Sequence, residues 1–144
     1  MTTEISFPVR YTDIDALGIV HHSNYLKWFE AGRIDFLRNA DMPNHKLNMM
    51  GYFLPLSEMR CAYKSPAKYG NEILIRTSLI YLSCAKIKFE YRALHKSSGK
   101  VIAIGTTVHA WTDKGINPLN IEKAAPEVYR KLKNLVESGE TLNK

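Results

Sequence analysis

The sequence predicts an α+β fold in which a curved antiparallel β-sheet wraps around one long central helix. Three observations predict it. From residue 54 to residue 112 apolar residues recur with a period of two, the mark of strands. Only "SNYLKWFEAGRIDFLRNA", residues 23–40, has the length and spacing of a long helix. That helix carries Tyr25, Leu26, Trp28, Phe29, Ile34, Phe36 and Leu37 over most of its circumference, as buried helices do.

Each element has its own local reason. "EISFPVRY" alternates Ile5, Phe7, Val9 and Tyr11 against polar residues, a half-buried strand that Pro8 places at an edge or bulge. "TDIDALGI" is an Asp-rich loop with one glycine. Ser23 or Asn24 is expected to cap the helix, and "DMP" at 41–43 lies just past its end. Gly32 costs about 1 kcal/mol against alanine in a helix interior, which is tolerable where another backbone comes close. Residues 44–53 read as irregular, with room for a helical turn or two.

The strands follow. "PLSEMRCAYK" leads into the turn "SPAKYGN", punctuated by Pro66 and Gly70. "EILIRTSLIYL" is a long strand, and "AKIKFEYRALH" alternates strictly through Ile87, Phe89, Tyr91 and Ala93. "KSSGK" makes a hairpin turn before "VIAIGTTVHAWT", the last long strand. After the loop "DKGINPLN", "APEVYRKLKNLVES" is a short amphipathic helix with proline near its start. No repeat or linker interrupts the chain, so residues 1–144 read as a single domain.

Composition narrows the function. No run of about 18 apolar residues predicts a membrane span. The segment "MTTEISFPVRYTD" lacks a basic region followed by an apolar core, so no secretory signal and a cytoplasmic location are expected. Cys61 and Cys84 each sit in a strand-like apolar run without CxxC spacing and read as buried free thiols. A net charge of +6 favours anionic partners. The basic residues are scattered and the aromatics fall at buried periods, so nucleic acid is not among the expected partners.

The densest chemistry is in "RYTDIDALGIVHHSNYLKWFEAGR", where two aspartates and a glycine precede two histidines and the helix. Four elements of it, the pair Asp13 and Asp15, the turn Gly18-Ile19-Val20, the Asn24-Tyr25 step and the helical Glu30 with Arg33, resemble the signature of the 4-hydroxybenzoyl-CoA thioesterase family of hotdog-fold proteins, including its Tol–Pal-associated branch. "YKSPAKYGNEILI" and "INPLNI" resemble later parts of the same family, so the likeness spans about residues 5 to 136. It implies cleavage of an acyl-CoA to a free acid and CoA without metal or cofactor.

The resemblance assigns the catalytic carboxylate to Asp15 and the oxyanion-binding backbone N–H to His22. The chemistry fits those positions. A thioester carbonyl gains negative charge as it is attacked, and the first N–H groups of a helix are unpaired at the positive end of its dipole. A carboxylate a few residues earlier either attacks the carbonyl or acts as base for a water. Asp13 is expected to hold the loop, and Gly18 and Tyr25 to border the substrate. Lys64 and Lys68 are the expected contacts for CoA phosphates, with Arg60 and Arg92 as further candidates.

Other readings compete. The pair His21-His22 with Asp13 and Asp15 could suggest a metal, but adjacent side chains seldom point at one ion and no third histidine has suitable spacing. Glu30 is the runner-up carboxylate, against its ordinary reading as a helical partner of Arg33. A non-catalytic acyl-CoA-binding module and an acyl-thioester dehydratase are the alternative functions. Finally, an open curved sheet leaves an edge strand that soluble proteins rarely expose. A homodimer or homotetramer is therefore expected, with the site between two chains.

Overall fold

The computed structural model describes residues 1–137. Its strands are β1 (Thr2–Pro8), β2 (Leu56–Tyr63), β3 (Glu72–Leu82), β4 (Lys86–His95) and β5 (Val101–Ala110). They form one antiparallel sheet in the order β1-β3-β4-β5-β2, so β1 and β2 are its edges. The helices are α1 (Ser23–Asn39), α2 (Asn44–Met49), α3 (Ile121–Ala124) and α4 (Pro126–Lys133). The long helix α1 lies against β1, β3 and β4.

The period-two pattern puts Ile73, Ile75, Thr77 and Leu79 of β3 on the buried face, with Ile87, Phe89, Tyr91 and Ala93 of β4 beside them. Phe29 of α1 stacks on Tyr91 with ring centroids 4.8 Å apart, and Phe36 meets Phe89 edge-on at 5.4 Å. Each fully buried aromatic of this kind contributes about 1.5–3 kcal/mol through the surface it removes from water. Two glycines set the spacing. A Cβ on Gly32 would run into Thr77 Oγ1 and the side chain of Ile75, and one on Gly105 into the Phe29 ring and the Arg60 carbonyl. Helix and sheet therefore approach more closely than alanine would allow.

Several expectations need correction. Tyr11 does not continue the inward face of β1. The strand ends at Pro8, and Tyr11 opens a 3₁₀ turn with 72% of its surface exposed. The α1 helix is not buried all round: Ile34 is exposed and Leu26 half-buried, while Tyr25, Trp28, Phe29, Phe36 and Leu37 face inward. The N-cap position is His22, not Ser23 or Asn24, and no side chain caps the helix. Cys84 lies in the turn between β3 and β4 rather than in a strand. Cys61, on β2, is like it free and half-buried. The terminal helix stops at Lys133, and the final residue of its expected range, Ser138, lies outside the described residues, as do the last seven positions of the expected domain.

Candidate functional site

The loop between β1 and α1 is fixed from both ends. The buried Asp13 carboxylate accepts the backbone N–H of Arg10 at 2.9 Å and its guanidinium at 3.3 Å. The Asp13 carbonyl accepts the backbone N–H of His21 and the side-chain amide of Asn24, both at 2.9 Å. Between these anchors the chain makes a miniature hairpin, with Ile14 paired to Val20 and the Asp15 N–H bonded to the Ile19 carbonyl at 2.8 Å.

Asp15 shapes the hairpin tip. Its Oδ1 accepts the Leu17 N–H at 2.8 Å, the short-range bond that suits aspartate to turns. Gly18 donates its N–H to the Asp15 carbonyl at 3.0 Å from a φ of +79, a left-handed conformation that glycine adopts without strain. The hairpin is also tied to the turn between β2 and β3, because Val20 N–H bonds the Ala67 carbonyl and Ile19 pairs with Lys68.

These ties create a cleft of about 490 Å³ lined by Asp15, Ile19, Val20, His22, Tyr25 and residues 63–66. His22 stands at the N-cap of α1, and its backbone N–H donates no hydrogen bond among the described residues. A carboxylate and an unpaired N–H at the positive end of a 17-residue helix thus border one space. Tyr25 walls it, touching Tyr63 at 5.1 Å and Trp28 at 5.0 Å between ring centroids. Burial, with the neighbouring Cys61 and Tyr63, pushes the Tyr25 phenol up to about 12, so it stays neutral. Burial also raises the Cys61 thiol, against a hydrogen bond from Tyr63, and leaves it a poor nucleophile.

The cleft gathers four of the residues singled out from sequence: Asp15, His22, Tyr25 and Lys64. Gly18 and Lys68 adjoin it through the loop without lining it. Arg60 pairs with Glu58 and Arg92 with Glu90, both away from the cleft. Tyr63, Ser65 and Pro66 also belong to the lining; the sequence marked them as a strand end and the turn after it, within the stretch that resembles the family, but not as site residues.

A second polar cluster lies further along α1. Arg33 Nη2 donates to Glu30 Oε2 at 2.7 Å, the helical pair expected, and Glu30 does not line the cleft. His109 Nε2 is 3.8 Å from Glu30 Oε1. Burial, reinforced by the Arg33 charge, brings the His109 imidazole down to about 4. A neutral ring donates from Nδ1 to the Leu54 carbonyl at 3.0 Å and accepts at Nε2 from Thr107 Oγ1 at 3.0 Å. Thr107 in turn accepts from the Tyr91 hydroxyl at 2.7 Å. Sequence reading passed over His109 and Thr107. Their signal was a polar residue at each of two inward positions of an apolar strand.

Among the described residues no group of three or more histidine, cysteine or acidic side chains is placed to hold a metal ion. Among the same residues no helix is long and apolar enough to cross a membrane.

The geometry has known counterparts. A family model described as the thioesterase-like superfamily matches residues 9–132. The acyl-CoA thioesterase YbgC of Haemophilus influenzae is 28% identical over 132 residues, spanning 89% of this chain and 96% of that protein. A hypothetical protein from Thermus thermophilus superposes with a TM-score of 0.85 at 32% identity, over 95% of this chain and 99% of that one. A DHNA-CoA thioesterase from Staphylococcus aureus superposes with a TM-score of 0.87 over 99% of this chain and 93% of that one, but at 19% identity it speaks to fold alone.

Proposed function

We propose an activity from one premise: this chain belongs to the thioesterase-like superfamily. It is a thioester hydrolase. In our reading it cleaves an acyl-CoA to a carboxylic acid and CoA, with Asp15 and the His22 backbone N–H as the catalytic pair. The observation that carries this reading is their shared cleft, with the N–H unpaired and the carboxylate half-buried.

The thioester carbonyl oxygen accepts from His22 N–H, where the helix dipole favours the charge that develops on attack. An Asp15 oxygen either adds to the carbonyl carbon or removes a proton from an attacking water. In the first course the C–S bond breaks, CoA leaves as thiolate and takes a proton, and water hydrolyses the acyl-aspartyl anhydride. In the second, water's oxygen becomes part of the acid directly. Both end in acid plus CoA and need no cofactor.

For the remainder of the substrate we assign Tyr25 and Gly18 to the acyl and thioester surroundings. Lys64 and Lys68 meet the CoA phosphates, Lys64 more closely because it lines the cleft. The 4-hydroxybenzoyl-CoA and Tol–Pal-associated branch is the affiliation suggested by the Asp15 loop, and α1 is the central helix of its hotdog arrangement. We place the enzyme in the cytoplasm as a homodimer or homotetramer with the free edge of β2 at the interface.

A panel of acyl-CoAs assayed for free thiol release tests the activity. Turnover that survives Asp15→Asn in a folded protein would move the carboxylate role elsewhere. Binding of acyl-CoA without release of thiol would favour the non-catalytic alternative.

A further inference from the structure

His21 and His22 are adjacent, and only His22 lines the Asp15 cleft. The main chain of His21 is held at both of its polar atoms. Its N–H donates to the Asp13 carbonyl at 2.9 Å, and its carbonyl accepts the Asn24 N–H at 3.0 Å and the Asn24 side-chain amide at 3.3 Å. Its ring is held as well. Nδ1 accepts the Ser23 N–H at 3.2 Å and lies 2.8 Å from Ser23 Oγ, which shares that lone pair. The ring rests on that of His22, with centroids 4.1 Å and planes 32° apart. A main-chain N–H can only donate. Nδ1 therefore carries no proton, and the ring is neutral with its hydrogen on Nε2.

These bonds sort the donors at the start of α1. From His21 to Tyr25, the N–H groups of His21, Ser23, Asn24 and Tyr25 each have an acceptor, the last being the His22 carbonyl at 3.2 Å. Among the described residues the His22 N–H is the one left over. Without the His21 ring, the Ser23 N–H would be a second free donor beside it. The ring also steadies the first. A peptide is planar with its N–H and C=O on opposite sides. By holding the His21 carbonyl, Asn24 fixes one end of the plane that carries the His22 N–H. A hold at one oxygen leaves the plane free to rock about it. The bond from Ser23 to Nδ1 closes a turn around the same peptide and removes that freedom, as an asparagine side chain does when it binds the main chain two residues on.

Resting on the reading of the His22 N–H as oxyanion donor, we propose that His21 is a positioning residue for thioester cleavage. Its Nδ1, by binding the Ser23 N–H, keeps the His22 N–H as a single, oriented donor at the cleft.

Three variants of the full chain separate the parts. His21→Ala removes ring and acceptor, His21→Phe keeps a ring without an acceptor, and His21→Asn supplies an acceptor for the N–H two residues on. In acyl-CoA hydrolysis, His21→Ala and His21→Phe should lose about tenfold in kcat with KM little changed, since misalignment costs the transition state first. His21→Asn should come within about threefold of the unaltered protein, a difference below 1.4 kcal/mol. ¹⁵N NMR adds a reading that needs no turnover. The neutral His21 ring should show a bare Nδ1 and a protonated Nε2. The Ser23 and His22 amide signals should move in His21→Ala and His21→Phe, and return toward their original positions in His21→Asn. An unchanged kcat in His21→Ala, a rise in KM alone, or full activity in His21→Phe would overturn the proposal. So would a neutral ring protonated at Nδ1. Unmoved Ser23 and His22 signals in His21→Ala would overturn it even in a protein that hydrolyses no acyl-CoA, a result that by itself removes only the proposed activity.

Discussion

The side-chain amide of Asn24 donates to the main-chain carbonyl of Asp13 at 2.9 Å, inside the protein. One bond thus joins the loop that carries Asp15 to the first turn of the helix that carries the His22 N–H. Asn24 also reaches the His21 carbonyl at 3.3 Å, so it ties both ends of the Asp15 loop to the start of the helix.

Asn24→Ala should therefore act on chemistry more than on binding. We expect kcat to fall about tenfold or more with KM little changed, because misplacement costs transition-state alignment first. Circular dichroism should show an intact fold. An unchanged kcat would mean that the loop keeps its place without this brace.

Asp15→Asn and Asp13→Asn should separate the two aspartates. Losing a carboxylate that acts as nucleophile or base lowers turnover by at least about 10², and Asp15→Asn should do so without loss of stability. Asp13→Asn should instead lower the melting temperature, since it disturbs the buried bonds to Arg10. The reverse pattern in paired kinetics and melting curves would exchange the assignments.

Much of this was legible in the sequence because local patterns agree with the global fold. The span of β3 was read off its alternation without error, and β4 and β5 within two residues at an end. What failed is where one residue's facing depends on a partner distant in sequence. Tyr11 continued the period of β1, but the Asp13 carboxylate captures the Arg10 N–H and turns the chain. Ile34 looked like core because a helix drawn alone does not show which side the sheet takes. The Asp15 loop was legible as a motif, while a second cavity, lined by Arg33, Asn44, Asn48 and Lys114 among others, was not. It is assembled from α1, the α2 segment and the loop after β5, and no sequence spacing joins them.

Gly32 offers a test of the packing. Its Cβ would strike Thr77 Oγ1, a side chain that is itself buried and fixed in β3. Gly32→Ala gains helix propensity of about 1 kcal/mol and loses more to overpacking, about 1–3 kcal/mol. We expect net destabilisation in urea unfolding. A more stable Gly32→Ala protein would show that α1 moves away from the sheet freely.

Lys64 and Lys68 should differ. Lys64 borders the cleft, and Lys68 adjoins it through its backbone pairing with Ile19. Lys64→Ala should raise KM for acyl-CoA about three- to tenfold with kcat nearly constant, the mark of uniform binding loss. The penalty should vanish for a pantetheine thioester that lacks the nucleotide. An equal penalty on both substrates would remove Lys64 from the nucleotide.

His109 makes the stability of the protein depend on pH with a definite sign. The ring is 1% exposed, beside Arg33 and Glu30 and bonded to Thr107 and the Leu54 carbonyl. Its pKa falls from an ordinary 6.5 to about 4 on folding. Below 6.5 the unfolded chain takes a proton that the folded chain refuses. The contribution is therefore complete above pH 6.5 and is lost as the pH falls toward 4. One such group accounts for about 3 kcal/mol over that window. Urea unfolding at steps between pH 7 and pH 4 should show this decline, and His109→Gln, which has no proton to refuse, should flatten it. The difference between the two curves isolates His109 from Glu90, whose carboxyl is raised by burial and shifts stability with the opposite sign. Parallel curves for the two proteins would mean that the buried ring titrates as it does in water.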